Sequence, residues 1–235
     1  MSHFFDIIDL QNMNSIAAAI SSVDRLDNNS YMVNLPGGDQ VAVQIRGNLY
    51  GQPVFFAHGT PGSRIIPHPE TTSNFVDANV CLISHDGRGY GDSPRKQGYR
   101  AIDAAHDIQG IADWLGIKEF CIIGRSGGGP NALAAAALLG KRVARVALLS
   151  SVAPPEFEGW FDGMHPDNQK RFTDATENPD RLWQVLEERA KLPAEAFLVS
   201  IKSQFGSSYP DMQAFIKSHE LAVKNGAGGW FDHNV

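Results

Sequence analysis

Ser126 stands between two glycines in a stretch that could present its hydroxyl group as a nucleophile. The spacing is Gly124-x-Ser126-x-Gly128, which is typical of the sharp strand-to-helix turn called a nucleophile elbow. The turn is so tight that a side chain beside the serine would clash, and this explains the glycines. A serine held in this way can attack an acyl carbon and form a covalent acyl-enzyme.

The residues on either side fit such a turn. Residues 120–123 are apolar and partly β-branched, as in a buried strand, and the alanine-rich run after Pro130 predicts a helix that ends at Gly140. The helix would point its first amide groups at Ser126 and favour negative charge there. Glycine-rich turns also cradle phosphates, but this one has neither the spacing of a dinucleotide fingerprint nor a Gly-Lys-Ser/Thr sequence.

Two further strand ends carry polar residues. Residues 53–57 form an apolar run followed by His-Gly-Thr-Pro-Gly at 58–62, and residues 79–84 form another, followed by His85 and Asp86. In an α/β sheet the functional site lies outside the carboxyl ends of the parallel strands. We therefore expect both loops to converge on Ser126.

The rest of the chain supplies the elements of an α/β fold. Alternating residues at 31–35 and 41–45 predict a hairpin, and residues 101–115 and 145–151 predict a helix and a strand. This order predicts a mainly parallel sheet sandwiched by helices. After Pro154 only helices are predicted, near 166–176, 180–192, 194–204 and 209–225. These helices either form a cap over the strand ends or belong to ordinary core packing. With the cap, the chain is divided into an N-terminal extension (1–29), a core (30–153) and a cap (154–235).

Composition excludes several classes of protein. The 235 residues carry a net charge of −6 without a basic stripe, which argues against a nucleic-acid partner. No apolar run is long enough to span a membrane, and the N-terminal residues do not resemble a secretory signal. Cys81 and Cys121 are expected to be free thiols in the cytoplasm, although a single disulfide is an alternative. No metal-ligand spacing is present and no cofactor is implied.

Three motifs together resemble those of the α/β-hydrolase fold. They are His-Gly-Thr-Pro-Gly at 58–62, Asp-Gly-Arg-Gly-Tyr-Gly-Asp-Ser at 86–93 and Gly-Arg-Ser-Gly-Gly at 124–128. The chain, from roughly residue 30 to its end, is similar to the branch with proline iminopeptidase-like peptidases, small esterases and cofactor-free haloperoxidases. The resemblance implies a small-molecule ester, amide or peptide substrate, with Ser126 as nucleophile and the backbone N–H groups of Thr60 and Gly127 as the oxyanion hole. Aspartate at the elbow would instead suggest epoxide hydrolysis or dehalogenation.

Several polar residues near these motifs are expected to be structural. We expect His58 to brace its loop by hydrogen bonding rather than to act as a base. Asp86 and Arg88 are expected to hold their turn together, as a charge pair. Arg125, beside the nucleophile, either faces the cleft or packs against the cap.

The resemblance also implies an acid and a histidine after the serine. No predicted strand end after residue 153 carries them, and so we expect a C-terminally truncated hydrolase. The substitutes that the chain offers are Glu156 and Glu158 as the acid and His165, His219 and His233 as the base. Truncation would expose a sheet edge, so we expect the chain to aggregate, to form a homo-oligomer or to pair with a chain that supplies the missing part.

Two other functions fit the same motifs. The first is a non-catalytic binding or regulatory protein on a hydrolase scaffold, which the lack of an evident acid and base favours. The second is a cofactor-free haloperoxidase-like enzyme, which uses the same triad and cannot be separated by motif.

Overall fold

The computed structural model describes residues 10–27, 29–66, 78–196, 199 and 212–234. Its strands are β1 (Asp24–Asp27), β2 (Ser30–Asn34), β3 (Gln40–Gly47), β4 (Gln52–Ala57), β5 (Val80–His85), β6 (Phe120–Arg125) and β7 (Val143–Leu149). Its helices are α1 (Leu10–Ser21), α2 (Ala101–Trp114), α3 (Gly128–Leu139), α4 (Pro166–Glu177), α5 (Pro179–Ala190), α6 (Met212–Ala222) and α7 (Gly228–Asp232), with a 3-10 turn at Gly140–Arg142.

The seven strands form one mixed sheet in the order β1-β2-β3-β5-β4-β6-β7. Strands β4 to β7 are parallel where they pair, whereas β1, β2, β3 and β5 pair antiparallel along the sheet. The α/β class and the hairpin of β2 and β3 are thus confirmed. Strand β4 lies between β5 and β6, so the chain adds β5 on one side of β4 and then crosses to add β6 on the other. At such a switch point ligands bind outside the carboxyl ends of the strands.

The apolar stripe of α2 packs on the strands in the largest core cluster. Ile108, Ile111 and Leu115 are fully buried there, at the three- and four-residue spacing of one helix face. Ile102, which the same periodicity placed on the stripe, is instead 38% exposed. The cluster fixes the positions of β4 and β6, whose carboxyl ends carry the candidate site.

The described part of the predicted N-terminal extension contributes a helix and an edge strand to this sheet and core. Strand β1 pairs with β2 in the sheet. The Ser15 hydroxyl donates to the Leu115 carbonyl at 2.8 Å, and Ile16 is buried in the core cluster. Sequence periodicity missed β1 because it is a polar edge strand whose four residues are all exposed.

The C-terminal helices α4 to α7 pack on the loop that follows β5. Trp230 is fully buried in a cluster with Tyr90. Arg95 forms two hydrogen bonds to Asp232, at 2.7 and 3.0 Å. Helices α4 and α5 match their predictions closely, whereas most of the helix predicted at 194–204 lies outside the described residues.

Candidate active site

The backbone at Ser126 has the strained geometry of a nucleophile elbow. Ser126 directly follows β6 and has a φ of +51°, a conformation that side chains other than glycine rarely adopt. Its amide donates to the Leu149 carbonyl at 2.9 Å, and its own carbonyl accepts from the Gly129 amide at 3.0 Å in the first turn of α3. These contacts with β7 and α3 hold the serine at the junction of strand and helix.

The flanking glycines are required by close approach. A Cβ atom on Gly124 would lie 2.7 Å from the Gly128 carbonyl oxygen, and one on Gly128 would lie 2.5 Å from the His58 carbonyl oxygen. Both distances are shorter than real Cβ contacts, so any side chain would push α3 away from β4 and β6. The glycine spacing thus reflects helix-to-strand packing as well as the turn itself.

The loop after β4 lies against the elbow, as the sequence predicted. A Cβ atom on Gly59 would lie 3.1 Å from the Ser126 Cβ and 3.7 Å from its Oγ. A Cβ atom on Gly127 would overlap with the Thr60 hydroxyl and would lie 3.4 Å from the Thr60 backbone nitrogen. The structure therefore brings Ser126, Gly127 and Thr60 together, with the backbone nitrogen of Thr60 next to Gly127.

His58 braces this loop with both of its ring nitrogens. Nδ1 donates to the Gly59 carbonyl at 2.8 Å, and Nε2 accepts from the Gly87 amide at 3.0 Å. Burial lowers its pKa to about 4, although the bond to Gly59 opposes the shift. With its acceptor nitrogen occupied, the imidazole holds two loops together, as predicted.

Asp86 and Arg88 do not pair with each other, and this corrects the predicted charge pair. Asp86 accepts from the Arg64 amide at 2.6 Å, from the Arg64 guanidinium and from the Asp92 amide at 3.0 Å. Arg88 donates twice to Asp107, at 2.8 and 2.7 Å. Burial raises the pKa of Asp86 to about 6, and the Arg64 charge offsets part of the shift. Each residue anchors its turn to a different element.

Three of the predicted acid and base candidates lie on the surface. Glu156 and Glu158 are exposed in the segment of turns between β7 and α4. His165 is also exposed, and its Nδ1 accepts from the Asp167 amide at 3.3 Å as the N-cap of α4. An N-cap side chain satisfies an otherwise unpaired helix amide, so His165 has a structural function where it stands.

Of the other two histidines, His219 is buried and His233 is half-buried. His219 is buried on α6 with its ring 6.4 Å from that of Trp230, and burial lowers its pKa to about 4. The ring of His233 lies 4.9 Å from that of Tyr90 and 6.4 Å from that of His58. Burial, with the nearby His58 and His85, lowers the pKa of His233 to about 3. Among the described contacts, none joins Glu156, Glu158, His165 or His233 to Ser126.

Tyr90 and Arg171 are polar residues near the loop to which the sequence assigned no function. Tyr90 is 1% exposed, and its hydroxyl is buried without a hydrogen-bond partner among the residues described. The Nε of Arg171, on α4, is also buried and has no hydrogen-bond partner among the residues described. Buried polar atoms usually have partners, so both need an explanation. Tyr90 lies inside the 86–93 motif, but Arg171 carries no sequence signal.

The remaining features of the described chain lie away from the elbow. Two surface grooves have volumes of about 460 Å³ each, and neither is lined by Ser126, Thr60 or Gly127. Within the described ranges, no three histidine, cysteine or acidic side chains cluster as metal ligands. No helix in these ranges has the length and hydrophobicity needed to cross a bilayer.

Comparisons with known proteins agree with this geometry. A family model described as the alpha/beta hydrolase fold matches residues 52–199, more than half of the chain. The structure is similar to the epoxide hydrolase CorEH, with a TM-score of 0.65 and 19% identity, over 88% of this chain and 73% of that chain. It is also similar to a bromoperoxidase from Bacillus anthracis (TM-score 0.62, 17% identity, 87% and 72% covered) and an esterase from Rhodococcus sp. (0.54, 20%, 81% and 72%). At these identities the likeness shows the fold and leaves the substrate open.

Proposed function

The chain belongs to the α/β-hydrolase fold family, and on that premise we propose that it is a serine hydrolase. The reaction would cleave an ester, an amide or a small peptide through an acyl-Ser126 intermediate. The observation that carries the proposal is the placement of Ser126, at a φ of +51° and in contact with the loop that holds Thr60. Serine rather than aspartate at this position favours an acyl-enzyme route over epoxide hydrolysis.

The proposed chemistry uses the two amides beside the serine. Attack of the Ser126 hydroxyl on an acyl carbon would place negative charge on the carbonyl oxygen, toward which the N–H groups of Thr60 and Gly127 would donate. Such donors stabilise the transition state more than the substrate, and removal of one typically slows the reaction about 10²- to 10³-fold.

The acid and the base are proposed only as sets of candidates. Glu156 or Glu158 would supply the carboxylate, and His165, His219 or His233 the imidazole. A histidine acts as a base only in its neutral form, which burial favours for His219 and His233. The contacts described above do not select one of them.

The surroundings of the site are part of the same proposal. Helices α4 to α7 would form a cap that selects a small-molecule substrate, since they pack on the loop after β5. Cys81 and Cys121 are both free thiols, and we place the enzyme in the cytoplasm, where thiols remain reduced.

Labelling with a fluorophosphonate probe tests the proposal. We expect mass spectrometry of the folded chain to find one adduct, on Ser126, which Ser126→Ala abolishes. Ser22→Ala, which changes an exposed serine at the end of α1, is the matched control and should keep the adduct. A folded wild-type chain that takes up no probe would contradict the hydrolase.

A non-catalytic binding protein on the same scaffold is the second candidate function. It is favoured by the position of His165 as an exposed helix N-cap and by the absence of a described contact between His233 and Ser126. A serine without its base keeps only weak residual catalysis. Absence of the adduct on a folded chain would support this alternative.

A further inference from the structure

The chain makes a second left-handed turn beside the one at Ser126. Ser150 directly follows β7 and has a φ of +47°, close to the +51° of Ser126 at the end of the parallel neighbouring strand β6. Apart from glycines, the only other described residue with a positive φ is Asn79. This conformation strains a residue that has a Cβ atom. Such strain persists where the surrounding structure imposes it, and it is concentrated at functional sites.

The turn at Ser150 determines which side chain at the end of β7 meets α3. Side chains alternate between the two faces of a strand, and Leu148 faces α3, with its Cδ2 3.7 Å from a Cβ atom placed on Gly129. A regular strand would therefore direct Ser150 toward α3 and Ser151 away from it. In the structure, a Cβ atom on Gly129 would instead overlap with the Ser151 hydroxyl and lie 2.6 Å from the Ser151 Cβ. The left-handed turn thus brings Ser151 onto the first turn of α3.

Residues 149–151 consequently contact the elbow at two points. The Leu149 carbonyl accepts from the Ser126 amide at 2.9 Å, and Ser151 packs against Gly129. The Gly129 amide in turn donates to the Ser126 carbonyl at 3.0 Å. Gly127 lies between Ser126 and Gly129 in the chain, so the position of its amide, a proposed oxyanion donor, depends on both contacts.

We propose that Ser151 is a positioning residue for the nucleophile, which fixes the first turn of α3, and that the turn at Ser150 directs Ser151 to it. The inference rests on the proposed hydrolase function, because it assigns the strain at Ser150 to the placement of Ser126. Ser151 acts by packing, since its described hydrogen bond runs to the Val152 carbonyl, at 3.4 Å. Ser150 is exposed, so burial of its own side chain does not account for its strained backbone.

The rate of fluorophosphonate labelling of Ser126 tests the contact at Gly129. Gly129→Ala places a methyl group on the Ser151 side chain and should slow labelling by up to about 10²-fold, since a misplacement of about 1 Å can cost this much. The double variant Gly129→Ala/Ser151→Gly removes the overlap, because the next atom, the Leu148 Cδ2, is at 3.7 Å. It should recover most of the rate. A purely structural contact would change the stability to urea and leave the labelling rate of the folded chain as it is.

Variants of Ser150 test the turn itself. Ser150→Gly keeps the left-handed conformation, which glycine adopts without strain, whereas a β-branched valine fits it poorly. Ser150→Val should therefore label more slowly than Ser150→Gly. Ala147→Val is the matched control, because it adds the same side chain at an exposed position within β7, where the extended backbone suits β-branched residues. It should label at the wild-type rate.

Hydrogen exchange of the Ser126 amide reports on the same positioning without catalysis. Because this amide is bonded to the Leu149 carbonyl, Gly129→Ala and Ser150→Val should speed its exchange in the native state, and Ala147→Val should not. Circular dichroism spectra that match the wild type establish that each variant is folded.

The inference is overturned if Ser150→Val labels and exchanges like Ala147→Val, or if Gly129→Ala behaves like its double variant with Ser151→Gly. The adduct on Ser126 reports separately on the hydrolase. Faster exchange in folded variants of a chain that forms no adduct would retain the positioning of the elbow by residues 150–151 and reject the hydrolase. An adduct whose rate and amide exchange no variant changes would do the reverse.

Discussion

The side chain of Thr60 fills the space that a side chain on Gly127 would occupy. A Cβ atom added to Gly127 would overlap with the Thr60 hydroxyl and would lie 3.0 Å from the Thr60 Cβ. The loop after β4 and the turn after β6 therefore fix each other, although Thr60 and Gly127 are 67 positions apart in the sequence. The two proposed oxyanion donors keep their spacing because of this contact.

Gly127→Ala should consequently slow acylation of Ser126. The added methyl group must displace Thr60 and with it one of the two amides, and loss of one such donor costs about 10²- to 10³-fold. The rate of fluorophosphonate labelling measures the effect. The double variant Thr60→Gly/Gly127→Ala keeps both backbone amides and removes the overlapping side chain, so it should recover most of the rate. A double variant as slow as Gly127→Ala would contradict the explanation.

The positive φ of Ser126 predicts a conflict between stability and activity. At +51° a residue with a Cβ atom is strained by roughly 1–2 kcal/mol, and glycine is not. Glycine also makes the unfolded chain more flexible, so Ser126→Gly should be more stable than Ser126→Ala by about 0.5–1 kcal/mol, with both variants inactive. Urea denaturation measures the difference. At Ser22, whose φ is not positive, the order of glycine and alanine should be reversed.

The parts of the molecule that could be predicted are those that local sequence determines. The glycines around Ser126, the hairpin of β2 and β3 and the helix α2 depend on residues a few positions apart, and all are found where they were expected. Pairings between distant residues could not be read in this way. Asp86 meets Arg64 and Arg88 meets Asp107, because folding brings loops together that no spacing rule relates.

The same limit applies to the candidate site. Ser126, Thr60 and Gly127 belong to motifs, and their proximity follows from the rule that strand ends meet at one edge of a parallel sheet. Arg171 lies in an ordinary polar helix, and no sequence pattern indicates that its Nε is buried. Strand β1 was missed because all four of its residues are exposed. An exposed edge strand needs no alternation of apolar and polar residues, which is the pattern that predicts a strand.

Asp86→Asn should destabilise the protein severely. Asp86 is fully buried and accepts hydrogen bonds from the Arg64 amide, the Arg64 guanidinium and the Asp92 amide. Asparagine keeps a single acceptor oxygen, while the buried Arg64 keeps Asp92 as a second counter-ion at 2.8 Å, so the loss of this charged hydrogen-bonding partner should cost about 1.5–3 kcal/mol. Urea denaturation should show a loss of this size. Asp113→Asn breaks the exposed ion pair with Arg142 and should cost no more than about 1 kcal/mol.

Strand β7 predicts self-association of the chain. It is the last strand of the described sheet, and Val146, Leu148 and Leu149 on it are 37%, 44% and 49% exposed. Exposed apolar edge strands pair readily with other strands, and lysine on an edge opposes such pairing. We therefore expect sedimentation velocity to show concentration-dependent association that Leu148→Lys reduces.

Leu26→Lys is the control for this prediction, because Leu26 is similarly exposed, at 40%, but lies on β1 at the opposite edge of the sheet. It should leave the association unchanged. A wild-type chain that sediments as a monomer at every concentration would contradict the prediction.

Acid should destabilise the protein through its buried histidines, of which His58 is the clearest. Burial holds the pKa of His58 at about 4 in the folded chain, whereas an unfolded histidine has a pKa of about 6.5. Above the unfolded value both states are neutral and the stability is fully present. As the pH falls from about 6.5 toward 4, the unfolded chain binds a proton that the folded chain excludes, so the free energy of unfolding decreases by up to about 1.4 kcal/mol per pH unit.

Urea denaturation between about pH 7 and pH 5 measures this slope. His219 and His233, with pKa values of about 4 and 3, shift in the same direction and should steepen it. His58→Gln removes one titrating group and should make the slope shallower by up to about 1.4 kcal/mol per pH unit, even though the loss of two loop contacts lowers the stability at neutral pH. His106→Gln changes an exposed histidine on α2 and should leave the slope as it is. Equal slopes in the wild type and His58→Gln would show that His58 takes up its proton in the folded state.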